Sequence, residues 1–296
     1  MAALDIHTTD PALRTIKPKQ GFSAVNVSEL WRYRELFLFL AWRDLLIRYK
    51  QTVLGILWAI LQPLTSVAVF TIVFGKMAGL DANGAPYPLL TLAAMIPWQM
   101  FSGGLAASSL SLVSSANLVT KIYFPRLIIP LSSTFGTLLD ALIGLILLLL
   151  TVGFYLLAGS QGWVTSSATV GLHWQILLTP LWFLLGLLTT IAAGLWLSAL
   201  NVKYRDIKYV VPFMIRIAML ISPIGYLSTE IPQPYRLIYS INPLVGVIDG
   251  FRWSVLGNNF EPYWPGMAVS ALATLFLLVS GLLFFRNTER RFADII

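Results

Sequence analysis

Few residues in this chain could do chemistry, and the most concentrated group is Asn117-Leu-Val-Thr-Lys-Ile-Tyr-Phe-Pro-Arg126. It puts a lysine, two aromatics, a proline and an arginine between two apolar stretches. No charge occurs from Pro86 to Asn117, and only Asp140 from Leu127 to Ala158. These residue types do not make a catalytic set. Elsewhere there is no G-x-x-x-x-G-K-[ST] phosphate loop, no H-E-x-x-H and no G-x-S-x-G. Cysteine is absent, and His7 and His173 stand far apart without neighbouring ligand types, so no metal or thiolate site is expected. The acids Glu230, Asp249 and Glu261 are the only others that could serve an enzyme working at the membrane surface, and nothing in the sequence partners them.

Composition explains the scarcity. Of 296 residues, 57% are hydrophobic and 11% charged, with mean hydropathy +0.77. A soluble domain carries about a quarter charged residues. This polar surface is too small to cover a water-soluble globule, so an all-α integral membrane protein is expected.

A spanning helix needs about 20 apolar residues. Six runs qualify: 53–75, 88–115, 127–158, 174–200, 209–227 and 263–285. They make one transmembrane domain over 51–285, with Pro63, Pro97, Pro180 and Pro223 as expected kinks. Residues 1–27 read as a polar, poorly ordered cytosolic tail without a cleavable signal, and 286–296 as a second cytosolic tail. Sixteen of the 20 Lys and Arg fall before the first run, at 116–126, at 201–208 or after the sixth run, while the opposite loops hold only Lys76, Arg236 and Arg252. The bias places both termini in the cytoplasm. The net charge of +7 then reads as orientation and contact with anionic lipid, and no nucleic acid is needed.

Two pieces are not spans. Residues 28–50, SELWRYRELFLFLAWRDLLIRYK, carry too many charges to cross, yet apolar residues recur at spacings of three and four. They fit an amphipathic helix lying in the interface, N-capped by Ser28; an ordinary lead-in to the first span is the plainer reading. In the outer loop, Pro232 and Pro234 stop any helix, after which 235–241 and 244–256 can each form a short one, broken at Asn242-Pro243. These pieces suit a re-entrant pair that dips into the outer leaflet, or a pair lying flat.

That outline, six spans with a basic cytoplasmic face and no catalytic set, fits transport powered from elsewhere. Four stretches then carry a resemblance: RYKQTVLGILWAILQPL (48–64), NLVTKIYFPRLIIPLS (117–132), NVKYRDIKYVVPFMIRIAMLISPIGY (201–226) and NPLVGVIDGFRW (242–253). Together they resemble the permease subunit of ABC transporters that export polysaccharides and polyol phosphates: O-antigen, capsule and teichoic acid exporters. The resemblance covers the chain from about residue 28. It implies a homodimer in the inner membrane with two copies of a soluble ATPase, which would bind the ATP and Mg; this chain holds no cofactor.

The resemblance also makes 117–126 the loop that docks on the ATPase. Ile122, Tyr123 and Phe124 would be its apolar tip, Lys121 and Arg126 its orienting charges, and Pro125 the helix stop, with Asn117 opening the segment. A plain basic loop would need the charges but not three adjacent large apolar residues. A polyprenyl-diphosphate-linked glycan would enter from the cytoplasm, its phosphates held by Arg32, Arg34, Arg48 and Lys50. Trp58, Phe70, Trp98, Phe101, Asp140, Tyr226 and Phe251 are candidates to line the path, the rings as platforms for sugar C–H faces. Trp163, Trp174, Tyr263 and Trp264 fit an interfacial belt instead. Asn242 and Pro243 would form the outer gate.

Two charges fall inside spans. Asp140, read as mid-helix, costs about 3 kcal/mol to insert, more than offset by the surrounding Leu, Ile, Val and Phe. Arg216 departs from the family, which more often has an uncharged polar residue there. Pairing the two means closing a gap of ~8 Å along the helices; snorkelling of Arg216 towards the cytoplasm competes with it. Other classes remain: a drug or lipid ABC exporter of the same topology, a secondary transporter, for which the halves show no repeat, and a membrane glycosyltransferase or ligase using the outer-loop acids.

Overall fold

The computed structural model describes residues 27–50, 56–80, 82–160, 173–257, 260–289 and 292, and all regular structure among them is helical. The tail at 1–26 and most of 290–296 lie outside the described residues, as does Trp163.

The segment at 28–50 forms two helices, α1 (Val27–Arg32) and α2 (Arg34–Tyr49). Helix α1 begins before Ser28, so Ser28 is not its cap. After α3 (Ile56–Phe70) the helix continues as a seven-residue π-helix, Thr71–Met77. Then follow α4 (Tyr87–Ser114) and the short α5 (Ala116–Lys121). The apolar run at 127–158 is divided at Gly136-Thr137 into α6 (Ile128–Phe135) and α7 (Leu138–Ser160). A 3-10 turn at Trp174–Leu178 leads into α8 (Thr179–Lys203).

Among the described residues, five stretches are long and apolar enough to cross a membrane: Leu57–Met77, Tyr87–Ser114, Ile128–Ala158, Trp174–Lys203 and Trp264–Glu289. The run at 209–227 gives only α9 (Ile207–Ile221), 15 residues long. It stops because Ser222 turns extended and Pro223 has no N–H to continue the ladder. Pro63 and Pro97 sit inside α3 and α4, Pro180 opens α8, and a further proline, Pro212, sits inside α9.

The outer loop holds α10 (Gln233–Tyr239) and α11 (Pro243–Leu256). Pro234 does not block α10 but lies in its first turn, where a missing N–H costs nothing. Asn242 caps α11, its Oδ1 accepting from the Leu244 N–H at 3.1 Å, with Pro243 as the first helical residue. The last long helix among the described residues is α12 (Trp264–Glu289).

Helices α4 and α8 form the centre, and α4 is buried almost continuously from Leu89 to Trp98. Their seam is close because it is lined by small residues. A Cβ on Gly104 would lie 2.5 Å from Thr190, and one on Gly194 would lie 2.6 Å from the Ser108 hydroxyl. Small residues of this kind let apolar helices approach where no water drives them together. Helix α12 packs on α8 and α11, while α3 and α9 lie at the margin, with most of their side chains exposed.

Candidate functional site

Between α4 and α6 the chain builds an exposed tip on a buried base. Helix α5 ends at Lys121, and Ile122 is extended (φ −127°, ψ 135°). Ile122 and Tyr123 therefore project, Tyr123 at 82% exposure. Phe124 does not join them. It is 5% exposed and packs in a cluster with Leu40 of α2, Val119, Phe285 and Phe292. Phe124 is thus an anchor, and the tip is two residues rather than three. Pro125 sits between this anchor and α6 and does not itself end α5.

Arg126 is also occupied. Its backbone N–H donates to Glu289 Oε1 at 3.2 Å, its guanidinium donates to the Glu289 carbonyl, and its Cζ lies 6.0 Å from the centre of the Phe292 ring. Lys121 remains exposed and leaves the tip a positive rim.

The basic residues of α1 and α2 divide in the same way. Arg32, Arg34 and Lys50 are exposed, Arg34 lying over Trp31 at 5.6 Å. Arg48 is not free for a phosphate: its Nη1 donates to Asp140 Oδ2, and the neighbouring Tyr49 hydroxyl donates to Asp140 Oδ1. Burial and the Asp140 carboxylate push the Tyr49 phenol above its ordinary pKa. Asp140 is not mid-helix either. The break at Gly136-Thr137 puts it in the first turn of α7, where the helix dipole favours an acid. Asp140 pairs with Arg48 and not with Arg216, which stands exposed on α9. A second link along α2 is the Ser133 hydroxyl of α6, which donates to Asp44 at 3.1 Å.

Of the proposed path-lining rings, three pack inside the chain. Phe251 is fully buried edge-on against Phe183, and Trp98 and Phe101 are buried side by side. None can present a face to a passing sugar in this conformation. Trp58 is exposed, and Phe70 is half-buried and stacked on Phe74. Tyr226 hydrogen-bonds Tyr239 through the two hydroxyls at 2.9 Å.

At the other end of the bundle, sequence reasoning missed Arg252 by counting it as a loop charge. It is 1% exposed. Its guanidinium donates to the carbonyls of Ile224 (2.7 Å), Tyr226 (3.0 Å) and Leu90 (3.3 Å). The Tyr87 hydroxyl donates to the Gly225 carbonyl, and Asn242 Nδ2 donates to Ser222 at 3.1 Å. The stretch Ser222–Leu227, which has left the helix, is thereby held by side chains from α4 and α11. The available signal was a lone arginine three residues after Asp249 within the apolar run 244–256. Asp249 lines one small cavity with Ser228 and Arg252. Glu230 and Glu261 are exposed, and no group of three potential metal ligands occurs among the described residues.

Comparison with known proteins fits this arrangement. Residues 35–256 match the family model described as ABC-2 type transporter. The chain is 27% identical over 262 residues to the O-antigen export system permease protein RfbA of Klebsiella pneumoniae, covering 88% of this chain and 95% of that one. It is 27% identical over 272 residues to the protein of the same name from Myxococcus xanthus, covering 91% and 98%. It is 25% identical over 274 residues to the polysialic acid transport protein KpsM of Escherichia coli, covering 92% and 97%.

Proposed function

The chain belongs to the ABC-2 type transporter family, and on that premise we propose that it is the membrane subunit of an ATP-driven exporter of lipid-linked polysaccharide, O-antigen in the first instance. It works as a homodimer in the inner membrane with two copies of a soluble ATPase, which bind the ATP and Mg. The names of the relatives support the cargo. Export of a capsular polymer is the second reading, favoured by the similarity to KpsM.

The topology of this reading has six crossings. Leu40 of α2, Phe124 of the loop and Phe285 and Phe292 at the end of α12 share one apolar cluster. Helix α2 and the end of α12 thus meet at the same end of the bundle as loop 116–126, which supports an even number of crossings between them. Beside the five long stretches, α9 is the sixth. Its 15 residues cover about 22 Å, and Ser222–Leu227 completes the passage. Helices α10 and α11 then enter and leave the outer leaflet. Their backbone breaks are met by protein groups, as a re-entrant pair requires. The basic segments fall on the cytoplasmic side.

The observation that carries the reading is the tip at Ile122 and Tyr123, exposed on a base that the protein itself fixes. A large apolar side chain held out in water suits a cleft on a partner. ATP-driven closure of the ATPases then pushes on this loop, the two permease copies shift, and the glycan passes between them.

Tyr123→Ala tests it without touching the buried Phe124. Truncating an aromatic anchor costs about 2 kcal/mol or more, which weakens ATPase association about 30-fold or more. The variant should insert normally yet lose the co-purifying ATPase and its surface polysaccharide. Lys121→Ala should do less, because a charge at a wet rim contributes little. Parental export with unchanged ATPase stoichiometry in Tyr123→Ala would refute the docking role.

A further inference from the structure

We propose that Glu289 is a positioning residue that ties the docking loop to α12, and that α12 carries the movement of that loop to the outer helices α10 and α11. The inference rests on the reading of loop 117–126 as the ATPase dock.

Two links end to end make the connection. At the inner end, Arg126 is held twice by one residue of α12, through its N–H on Glu289 Oε1 and its guanidinium on the Glu289 carbonyl. Phe124 and Phe292 bury themselves in the same cluster beside this tie. The loop is fastened to the last turn of α12 just behind its exposed tip. At the outer end, Ser270 of α12 accepts from the Gly246 N–H of α11 at 3.1 Å and donates to the Ser240 carbonyl, which follows α10, at 2.8 Å. Glycine makes this contact possible: a Cβ on Gly246 would lie 2.6 Å from Ser270 Cβ, and one on Gly266 would lie 2.4 Å from the Ser240 hydroxyl.

Ser270 and Glu289 belong to one uninterrupted helix and stand about 28 Å apart along it. The helix between them is braced against α8. Thr189 and Thr274 hydrogen-bond at 3.0 Å, and Trp196 stacks on Phe284 with centroids 4.4 Å apart and donates to Ser280. Packed interiors transmit displacement because they are dense and nearly incompressible. A push on the loop thus becomes a shift of the α8–α12 pair and of the outer helices hung on it, and a charge-assisted hydrogen bond is a strong form for such a link.

The test uses the complex with its ATPase and reads the outer end directly, without any glycan. The chain has no native cysteine, so Thr229→Cys, at an exposed position on the outer side, reports through an impermeant thiol reagent. Its labelling rate should change on ATP binding. Adding Glu289→Ala removes the carboxylate that accepts from the Arg126 N–H and leaves the guanidinium bond to the backbone carbonyl; it should shrink that change roughly tenfold, the share one hydrogen bond to a charged group commonly holds, while the ATPase still co-purifies because Tyr123 is intact. Glu289→Gln keeps an accepting oxygen without the charge and should recover most of the response. In Arg126→Cys/Glu289→Cys, joining the two thiols with a short bis-maleimide should restore the response lost in the unlinked pair. An undiminished response in Glu289→Ala, loss of the ATPase from it, or a linked pair that stays unresponsive would each overturn the inference. A wrong cargo would alter none of these readouts.

Discussion

Helices α9 and α11 are nearly the same length, 15 and 14 residues, and each carries one arginine in an apolar run. Their fates are opposite. Helix α11 is buried along almost its whole length, and Arg252 inside it spends its guanidinium on three carbonyls. Helix α9 buries only Val211, and Arg216 stands among exposed Tyr209, Phe213 and Leu220. Hydrophobicity does not separate them, and side-chain size does. Helix α11 has Gly246 and Gly250, where α12 and Trp182 of α8 come within contact of its backbone. Helix α9 has no glycine, and its bulky side chains keep neighbours off. A cation in an apolar helix thus becomes a structural clamp where small residues let the bundle close around it, and stays a surface charge where they are missing.

The largest expected effect is on the clamp. Arg252→Leu removes the donors to Leu90, Ile224 and Tyr226 together, and each buried carbonyl left bare costs about 1–3 kcal/mol. We expect a loss of about 3 kcal/mol or more, read as a lower midpoint in thermal unfolding of the purified complex. Arg252→Lys, with a single head group in place of a planar fork, should recover part of it. Parental melting of Arg252→Leu would break the comparison at its stronger end.

A smaller effect is expected where α11 meets α8. A Cβ on Gly250 would lie 2.4 Å from the Trp182 ring, so Gly250→Ala overpacks the contact at a cost of about 1–3 kcal/mol. Adding Trp182→Leu makes room and should return part of that loss. If Gly250→Ala alone melts with the parent, glycine is not what lets the bundle close on α11.

The sequence was most legible where length decides. Apolar runs near 20 residues located the helices that are long enough to cross, because chain length against bilayer thickness leaves few choices. It was less legible where tertiary partners decide. Nothing local says that Phe124 turns inward while Tyr123 turns out; Leu40, Phe285 and Phe292 decide it from far along the chain. Gly136-Thr137 looked like part of one long apolar run, and the break there moves Asp140 from an apparent mid-helix position to a first turn within reach of Arg48 and Tyr49. Phe251 and Trp98 were drawn to the path by their rings, yet large rings are also what fills a core. The residue type was right for either role, and neighbours chose.

Arg216 is expected to show the smallest effect, and it tests the weaker end of the comparison. Its guanidinium makes no ion pair among the described residues, and its neighbours on the outward face are exposed. Nothing buried depends on it, so Arg216→Met should stay within about 0.5 kcal/mol of the parent in thermal unfolding. Its position explains how an unpaired cation persists there. It lies nine residues after Ile207, about 14 Å along α9, and its long stem can lie on the apolar face while the charged head reaches back towards water. Arg216→Lys keeps both stem and charge and should match the parent equally well. If Arg216→Met instead melts as far below the parent as Arg252→Leu, the guanidinium is satisfied by a group outside the single chain, in the second copy or in bound lipid. The two arginines would then differ only in which chain supplies the carbonyls or anions, and the size of the side chains around α9 would no longer explain the contrast.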